Sequence, residues 1–359
     1  IDFAWSYEDT LFYFLKSSSS NESNRLLLQG NPLQNEFKQI VERCVTIENK
    51  EEIIYATAIS DSGKKYLLVS LESGKFQKTY FPTHVDPIDF SEKFINGNEI
   101  FVVVHNKSDT FSLYSADIKN LKFSKILEDI STNSGFSSKV CVDVELFKSL
   151  PGLIITHNDK ISGNHDPQTI ISFNHGSKWK PISPPNTING LDCKLPKCYL
   201  HLSLGCDALQ NHPIILVDKA PNIMIAYGHV YLENFVFNSG LYISVDAGKS
   251  WNFARSSFHH STILDHGGVI VIASYMHGSI SYSYDEGKSW NDYKEYETEF
   301  RTIYIDHSRN GVPTSSLIIG YDVFTQAWSL VIADFSNVLK KTCHINDYIQ
   351  FTPGAETPS

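Results

Sequence analysis

Arginine is scarce in this chain of 359 residues. Only Arg25, Arg43, Arg255, Arg301 and Arg309 occur, against 40 acidic residues and a net charge of -10. A nucleic-acid surface needs a basic footprint, so that partner class is excluded. Long apolar runs are also missing: the longest, Val269 to Ala273, is strand-sized, whereas a membrane helix takes ~18 residues. Any membrane attachment would need a span that this chain does not carry. No long stretch repeats its apolar residues at the helical period, so helices are few and an α/β fold fails. The six cysteines include no C-x₂-C pair and no H-x₃-H partner, which argues against structural zinc. No G-x-S-x-G elbow, H-E-x-x-H or phosphate loop is present, and no cofactor site is legible. The chain opens at Ile1 without a signal peptide, which reads as a mature chain or a fragment.

What is present is a strand-rich, ordered text, with 42% hydrophobic and 13% aromatic residues. Leu11–Leu15, Leu26–Leu28, Ile53–Ile59, Lys65–Ser70 and Ile100–Val104 read as strands separated by polar turns. The segment 37–45 is compatible with a short helix or a strand. One motif recurs through this text. Ser244-Val-Asp246-Ala-Gly248-Lys-Ser250-Trp251 returns as Ser283-Tyr-Asp285-Glu-Gly287-Lys-Ser289-Trp290.

The spacing is that of the Asp-box hairpin of β-propellers. The Asp accepts backbone N–H groups across the turn, Gly supplies positive φ, and Trp closes over the hairpin. A catalytic or metal-binding role for Asp246 and Asp285 is the alternative. Repetition of the whole box, rather than of the acid alone, favours structure. Worn copies appear at Asn174 with Trp179, at Glu72, and at Asp117. The acidic or Asn positions are separated by 45, 57, 72 and 39 residues. A blade takes ~40–50 residues, so the fold class is an all-β propeller with about six blades here. The long interval suggests an insertion from about Pro185 to Pro213, where three cysteines lie. Cys193 and Cys198 flank a short loop and can bridge locally. Asn21 and Asn106 open N-x-S glycosylation triplets. Together with the cysteines they point to a lumenal or extracellular site.

The second half resembles the sortilin family of receptors, which carry a vacuolar-protein-sorting-ten domain. The resemblance rests on Ala220–Val230, Leu241–Trp251, Thr262-Ile-Leu-Asp-His-Gly-Gly-Val-Ile-Val271, and Asp334–Cys343 followed by Asn346-Asp-Tyr348. It is specific from about residue 165 to 350. It implies a ten-bladed propeller, a cysteine-rich module, a membrane span and a sorting tail. On that basis residues 1–340 are a partial propeller and 341–359 the start of the module, truncated. The implied function is non-enzymatic binding of peptide or protein cargo in the secretory-pathway lumen, for transport between Golgi, endosome and cell surface.

The resemblance also places Cys193 and Cys198 at a disulfide-bonded loop, and Cys343 at the first module cysteine. Cys44, Cys141 and Cys206 find no counterpart. An Arg that grips the ligand's carboxylate in the family is replaced by Lys65, or by Lys64 with a one-residue gap. Lys offers a point charge instead of a fork; a plain solvated turn edge is the alternative. His229, His259, His260 and His266 would suit acid-triggered release, or would be neutral histidines at strand ends. The rival class is a sialidase-type glycoside hydrolase, which shares the boxes. It needs three clustered Arg, hard to assemble from five, although two carboxylates could hide among the acids.

Overall fold

In the computed structural model the structure describes residues 3–6, 11–17, 25–31, 36–50, 53–71, 75–133, 141–158, 168–206, 214–233, 235–275, 279–294, 300–306 and 311–339. Among them the only helical element is a 3₁₀ turn at Asp265–Gly267. Everything else regular is strand, including Glu36–Val41 and Cys44–Lys50 in the segment that was open from sequence.

The strands form antiparallel meanders of the kind that makes a propeller blade. The chain divides into two compact units, residues 1–132 and 133–359. In the first unit, sheet 1 runs Phe3–Ser6, Leu11–Ser17, Arg25–Asn31 and Glu36–Val41. Sheet 2 runs Cys44–Lys50, Ile53–Ile59, Lys65–Ser70 and Phe76–Lys78, and sheet 3 Pro87–Asn96, Glu99–Asn106, Phe111–Asp117 and Ser124–Leu127. In the second unit, sheet 4 runs Val144–Leu146, Ile154–Asn158, Gln168–Ser172 and Lys180–Pro181. Sheet 5 joins Cys198–Leu202, Met224–Leu232, Phe235–Ser244 and Asn252–Ser256, with Ile214–Ile215 pairing on Met224–Leu232. Sheet 6 is His259–Leu264, Val269–Ser274, Ser279–Ser283 and Asn291–Lys294. Sheet 7 has three strands, Phe300–Ile305, Ser315–Asp322 and Trp328–Asp334.

That makes seven blade-type sheets, one more than the boxes suggested. Sheet 1 carries no box, and the interval read as an insertion is partly blade. Its Cys198–Leu202 is the first strand of sheet 5. Likewise Thr262–Val271 is two strands broken by the 3₁₀ turn, not one.

The core lies between neighbouring sheets. Ile53, Tyr55, Leu67 and Val69 of sheet 2 pack on Ile100, Val102 and Val104 of sheet 3. The other face of the same strands, Ile54, Ala56, Ala58 and Leu68, packs on Tyr13, Leu15 and Leu27 of sheet 1. A strand covered on both faces has no polar side to show. This explains why Ile53–Ile59 and Ile100–Val104 read as continuous apolar runs instead of alternating ones. In the second unit the same sandwiching joins sheets 4 and 5, 5 and 6, and 6 and 7.

Candidate functional site

The Asp-boxes are turns between the third and fourth strands. At the first full box, Ser244 Oγ accepts the Gly248 N–H at 2.8 Å and donates to Asp246 Oδ1 at 2.8 Å. Asp246 Oδ1 accepts the Ser250 N–H at 2.8 Å, and Oδ2 accepts the Ser250 hydroxyl at 2.6 Å. Trp251 Nε1 donates to Gly248 O at 3.0 Å. Sheet 6 repeats this at Ser283, Asp285, Gly287 and Ser289, with Trp290 Nε1 on Gly287 O at 3.1 Å. The hydroxyls and N–H groups around Asp285 hold its carboxyl down to about 2. The Asn174 box keeps the Lys178 N–H bond and the Ser172 bonds but has Lys where the second Ser stands. Both carboxylate oxygens of Asp246 and of Asp285 therefore accept hydrogen bonds from their own turn.

Sequence reading assigned the positive φ to Gly alone. In each box the preceding residue is left-handed as well: Ala247 at 55°, Glu286 at 60° and His175 at 58°. The turn then docks its glycine on the sheet before it. A Cβ on Gly287 would stand 2.5 Å from Ile243 Cδ1, and one on Gly248 3.1 Å from Ile171 Cδ1. Trp251 is buried in the sheet 4–5 core, while Trp290 and Trp179 are half-buried. Of the looser copies, residues 72–74 lie outside the described residues. Asp117 makes a plain Asx turn, Oδ1 accepting the Lys119 N–H at 2.7 Å.

Lys64 and Lys65 leave a tight turn in sheet 2. Ser60 and Lys64 exchange backbone and hydroxyl bonds of 2.9–3.1 Å, and Gly63 sits at φ 80°. Lys64 is exposed; Lys65 starts its strand, half-buried, on the face shared by Leu67 and Val69. Both line a groove of about 250 Å³ with Tyr66, Lys78, Tyr80 and Phe81. Phe81 forms its floor, stacked on Phe123 at 4.5 Å. Lys78 Nζ stands 4.8 Å over the Tyr66 ring, and burial raises the Tyr66 hydroxyl above its ordinary pKa. Three ammonium groups at one aromatic groove make a cationic spot on an acidic protein. Its volume is below the roughly 300–1,000 Å³ of small-molecule sites, so it suits one side chain or chain terminus. Cys44, in the core between sheets 1 and 2, is buried, its thiol pushed up to about 12 by burial, and is chemically quiet.

Two disulfides form in the second unit. Cys193–Cys198 closes the short loop, with Cα atoms 5.0 Å apart. Cys141–Cys206, Cα atoms 5.6 Å apart, spans 65 residues and pairs two cysteines that sequence left open. Carboxylates gather beside it. Asp143 Oδ1 accepts the Cys206 N–H at 2.7 Å, and Glu145 Oε1 the Gly205 N–H at 3.3 Å. Burial, with the Asp143 charge adding to it, pushes the Glu145 carboxyl up to about 7. Cys343 lies outside the described residues, as does Asn21. Asn106 ends its strand half-buried, Nδ2 donating to Thr110 O and Ser112 Oγ at 3.4 Å.

Of the histidines singled out from sequence, His229 and His260 are joined through the rings of Tyr227 and Phe258. His229 Nδ1 meets Ser239 Oγ at 2.8 Å, His259 Nδ1 meets Ser257 O at 3.2 Å, and His260 packs edge-on against Phe258. His266 takes a left-handed φ of 56° in the 3₁₀ turn, 3.7 Å from Asp265. A closer pair went unnoticed: His157 and His201 stack at 4.2 Å, with His157 Nε2 2.9 Å from Leu202 O. Packing of sheet 4 on sheet 5 brings them together, which no local pattern announces. Among the described residues no three His, Cys, Asp or Glu stand as a metal site, and no helix is long and apolar enough to cross a membrane.

The family model for sortilin, neurotensin receptor 3 (Sortilin-Vps10) matches residues 2–305. The chain belongs to the Sortilin-Vps10 family. The family's domain is a β-propeller, so the seven sheets are its blades. Human VPS10 domain-containing receptor SorCS2 is 27% identical over 312 residues, covering 83% of this chain and 26% of the receptor. Zebrafish sortilin is 27% identical over 366 residues, covering 97% of this chain and 44% of sortilin. The chain thus spans a quarter to under half the length of these sorting receptors. Among solved structures, YCF48 from Cyanidioschyzon merolae aligns over 89% of this chain and 92% of its own, with TM-score 0.36 and 12% identity.

Proposed function

We propose that the chain is the lumenal ligand-binding propeller of a sortilin-like sorting receptor and is not an enzyme. It binds peptide or protein cargo for transport between Golgi, endosomes and the cell surface. Family membership over residues 2–305 carries this reading. The disulfides support an oxidising compartment, where the Asn106-Lys-Ser108 triplet is a proposed glycosylation acceptor. Residues 1–340 are the partial propeller; 341–359, outside the described residues, begin the cysteine-rich module.

Lys64 and Lys65 are the proposed ligand anchors. Their ammonium groups would hold a carboxylate of the cargo as point charges, while Tyr80 and Phe81 cover the adjoining side chain. The groove is small enough for one terminal residue. Calorimetric titration with a tetrapeptide ending in Leu tests this, with a free or an amidated C-terminus. Binding of the free acid that is lost on amidation and in Lys64→Ala/Lys65→Ala supports the anchor. Equal binding of both peptides removes it.

A further inference from the structure

Acids outnumber bases 40 to 30 in the chain, yet the groove at Lys64, Lys65 and Lys78 is lined by no Asp or Glu. Two acids that adjoin its lining in sequence are engaged elsewhere, Asp61 with Arg43 at 3.2 Å and Asp86 with Lys107 at 2.7 Å. Among the described residues none of the three lysines forms an ion pair with a carboxylate. Lys122 forms none either; it is exposed, and its main chain pairs with Tyr80 beside the groove. Lys78 rests instead over the Tyr66 ring at 4.8 Å. A cation held by a ring keeps its charge for an incoming anion, because no ion pair has to break first.

The apolar wall of the groove is firmly set. The Phe81 ring lies among those of Phe90, Tyr114 and Phe123, at 5.4, 5.4 and 4.5 Å. Tyr80 donates its N–H to Leu121 O at 2.9 Å and accepts the Phe123 N–H at 2.7 Å, with its ring 59% exposed. At about 250 Å³ the groove holds one residue. A terminal residue with an apolar side chain sets one negative charge against three positive ones. A terminal Glu brings two carboxylates on a short methylene stem. Ammonium groups, unlike a guanidinium fork, respond to charge more than to the plane of the carboxylate.

We propose that the groove selects cargo whose last residue is glutamate. The α-carboxylate meets Lys64 and Lys65, the methylenes lie on Tyr80 and Phe81, and the side-chain carboxylate meets Lys78. This rests on the groove being the ligand anchor and adds the identity of the residue it takes. A solvent-exposed ion pair strengthens an interaction by about two- to fivefold, so the preference is of that size.

The test is calorimetric titration of the full chain at low salt with Ala-Ala-Leu-Glu and Ala-Ala-Leu-Gln, each as free acid and as amide. A fifth peptide, Glu-Ala-Leu-Gln as free acid, has the charge of the first at the wrong end. The Glu-terminated acid should bind about two- to fivefold tighter than either Gln-terminated acid. The ratio should shrink at about 0.5 M salt, where exposed charges are screened. It should fall to about one in Lys78→Gln, whose melting temperature shows that the variant is folded. The peptide series reads the preference without any variant. Equal binding of the Glu and Gln acids, with both amides weakened, overturns the preference and leaves the carboxylate anchor standing. Equal binding of acids and amides, or no binding of any peptide, removes the anchor and the preference with it. Glu-Ala-Leu-Gln binding as well as Ala-Ala-Leu-Glu overturns the proposal in favour of general charge attraction. A ratio kept in Lys78→Gln overturns the role of Lys78.

Discussion

Lys93 Nζ lies 3.1 Å from both carboxylate oxygens of Glu48, joining the first strand of sheet 3 to the first strand of sheet 2. Lys93 is 2% exposed and also donates to Phe90 O at 2.6 Å, whereas Glu48 reaches solvent. Next to it Lys50 meets Glu92 at 2.7 Å, and there the lysine is 37% exposed. The two pairs run in opposite senses between the same strands. Removing one partner of a buried pair strands its charge, at a cost of about 3 kcal/mol, whereas an open pair is worth under about 1 kcal/mol. Glu48→Gln should therefore lower the denaturation midpoint markedly and Glu92→Gln little. Equal midpoints would show that Lys93 finds other relief.

The box acids should matter for folding and not for cargo. Asp246→Ala strips the bonds to Ser244 Oγ, Ser250 N–H and Ser250 Oγ. At about 1 kcal/mol each, partly relieved by water at this half-buried turn, we expect a loss of roughly 1–3 kcal/mol. Thermal melting reads the loss, and peptide affinity of the folded fraction should be unchanged. A variant with wild-type melting and weakened cargo binding would return Asp246 to the binding surface.

Two glycines with nearly the same φ should differ. Gly63 at 80° has open space around its missing Cβ, while Gly287 at 84° would drive a Cβ to 2.5 Å from Ile243 Cδ1. Gly63→Ala should cost about 1 kcal/mol for the left-handed backbone alone. Gly287→Ala adds the clash, so its loss in urea denaturation should clearly exceed that of Gly63→Ala. Equal losses would mean that sheets 5 and 6 part without cost.

Glu145 gives the pH prediction. Its folded pKa, about 7, exceeds its ordinary value of 4.5 because burial disfavours the charge. The folded chain therefore holds a proton that the unfolded chain releases in this window. The associated stability is complete below about pH 4.5 and is lost as pH rises through 7. The melting temperature of the wild type minus that of Glu145→Gln should fall between pH 5 and pH 7.5. A difference independent of pH would show that Glu145 titrates normally.

The architecture was legible because it is written locally. A box spans eight residues, and its Ser, Asp, Gly and Trp fix the turn and its position after the third strand. What was missed depends on distant pairing. Sheet 1 has no box and so went uncounted, and Cys198–Leu202 was hidden because the local text around it is a disulfide loop. The Cys141–Cys206 bond and the His157–His201 stack join positions far apart in sequence, where no spacing rule applies. Lys64 and Lys65 were found only by alignment to a family pattern. Of their partners in the groove, Tyr66 follows on the same strand, whereas Lys78 and Tyr80 come from the neighbouring strand and the connection after it, which sequence could not place beside them.

The two disulfides should separate in the same way. By loop closure, Cys141–Cys206 is worth about 4 kcal/mol and Cys193–Cys198 about 2 kcal/mol. Replacing each pair by Ser should lower the denaturation midpoint in that order. The reverse order would mean that the short bridge sets the local fold of the 193–198 loop.

The longer bridge encloses all of sheet 4 and the first strand of sheet 5. A pull on the two ends of this chain would therefore pass through the sulfur–sulfur bond and bypass those five strands. Stretched in an optical trap, they would stay folded until the bridge is reduced. Then about 65 residues would become free to extend in a single step. A protease cut inside the loop would likewise release no fragment until a reductant is added.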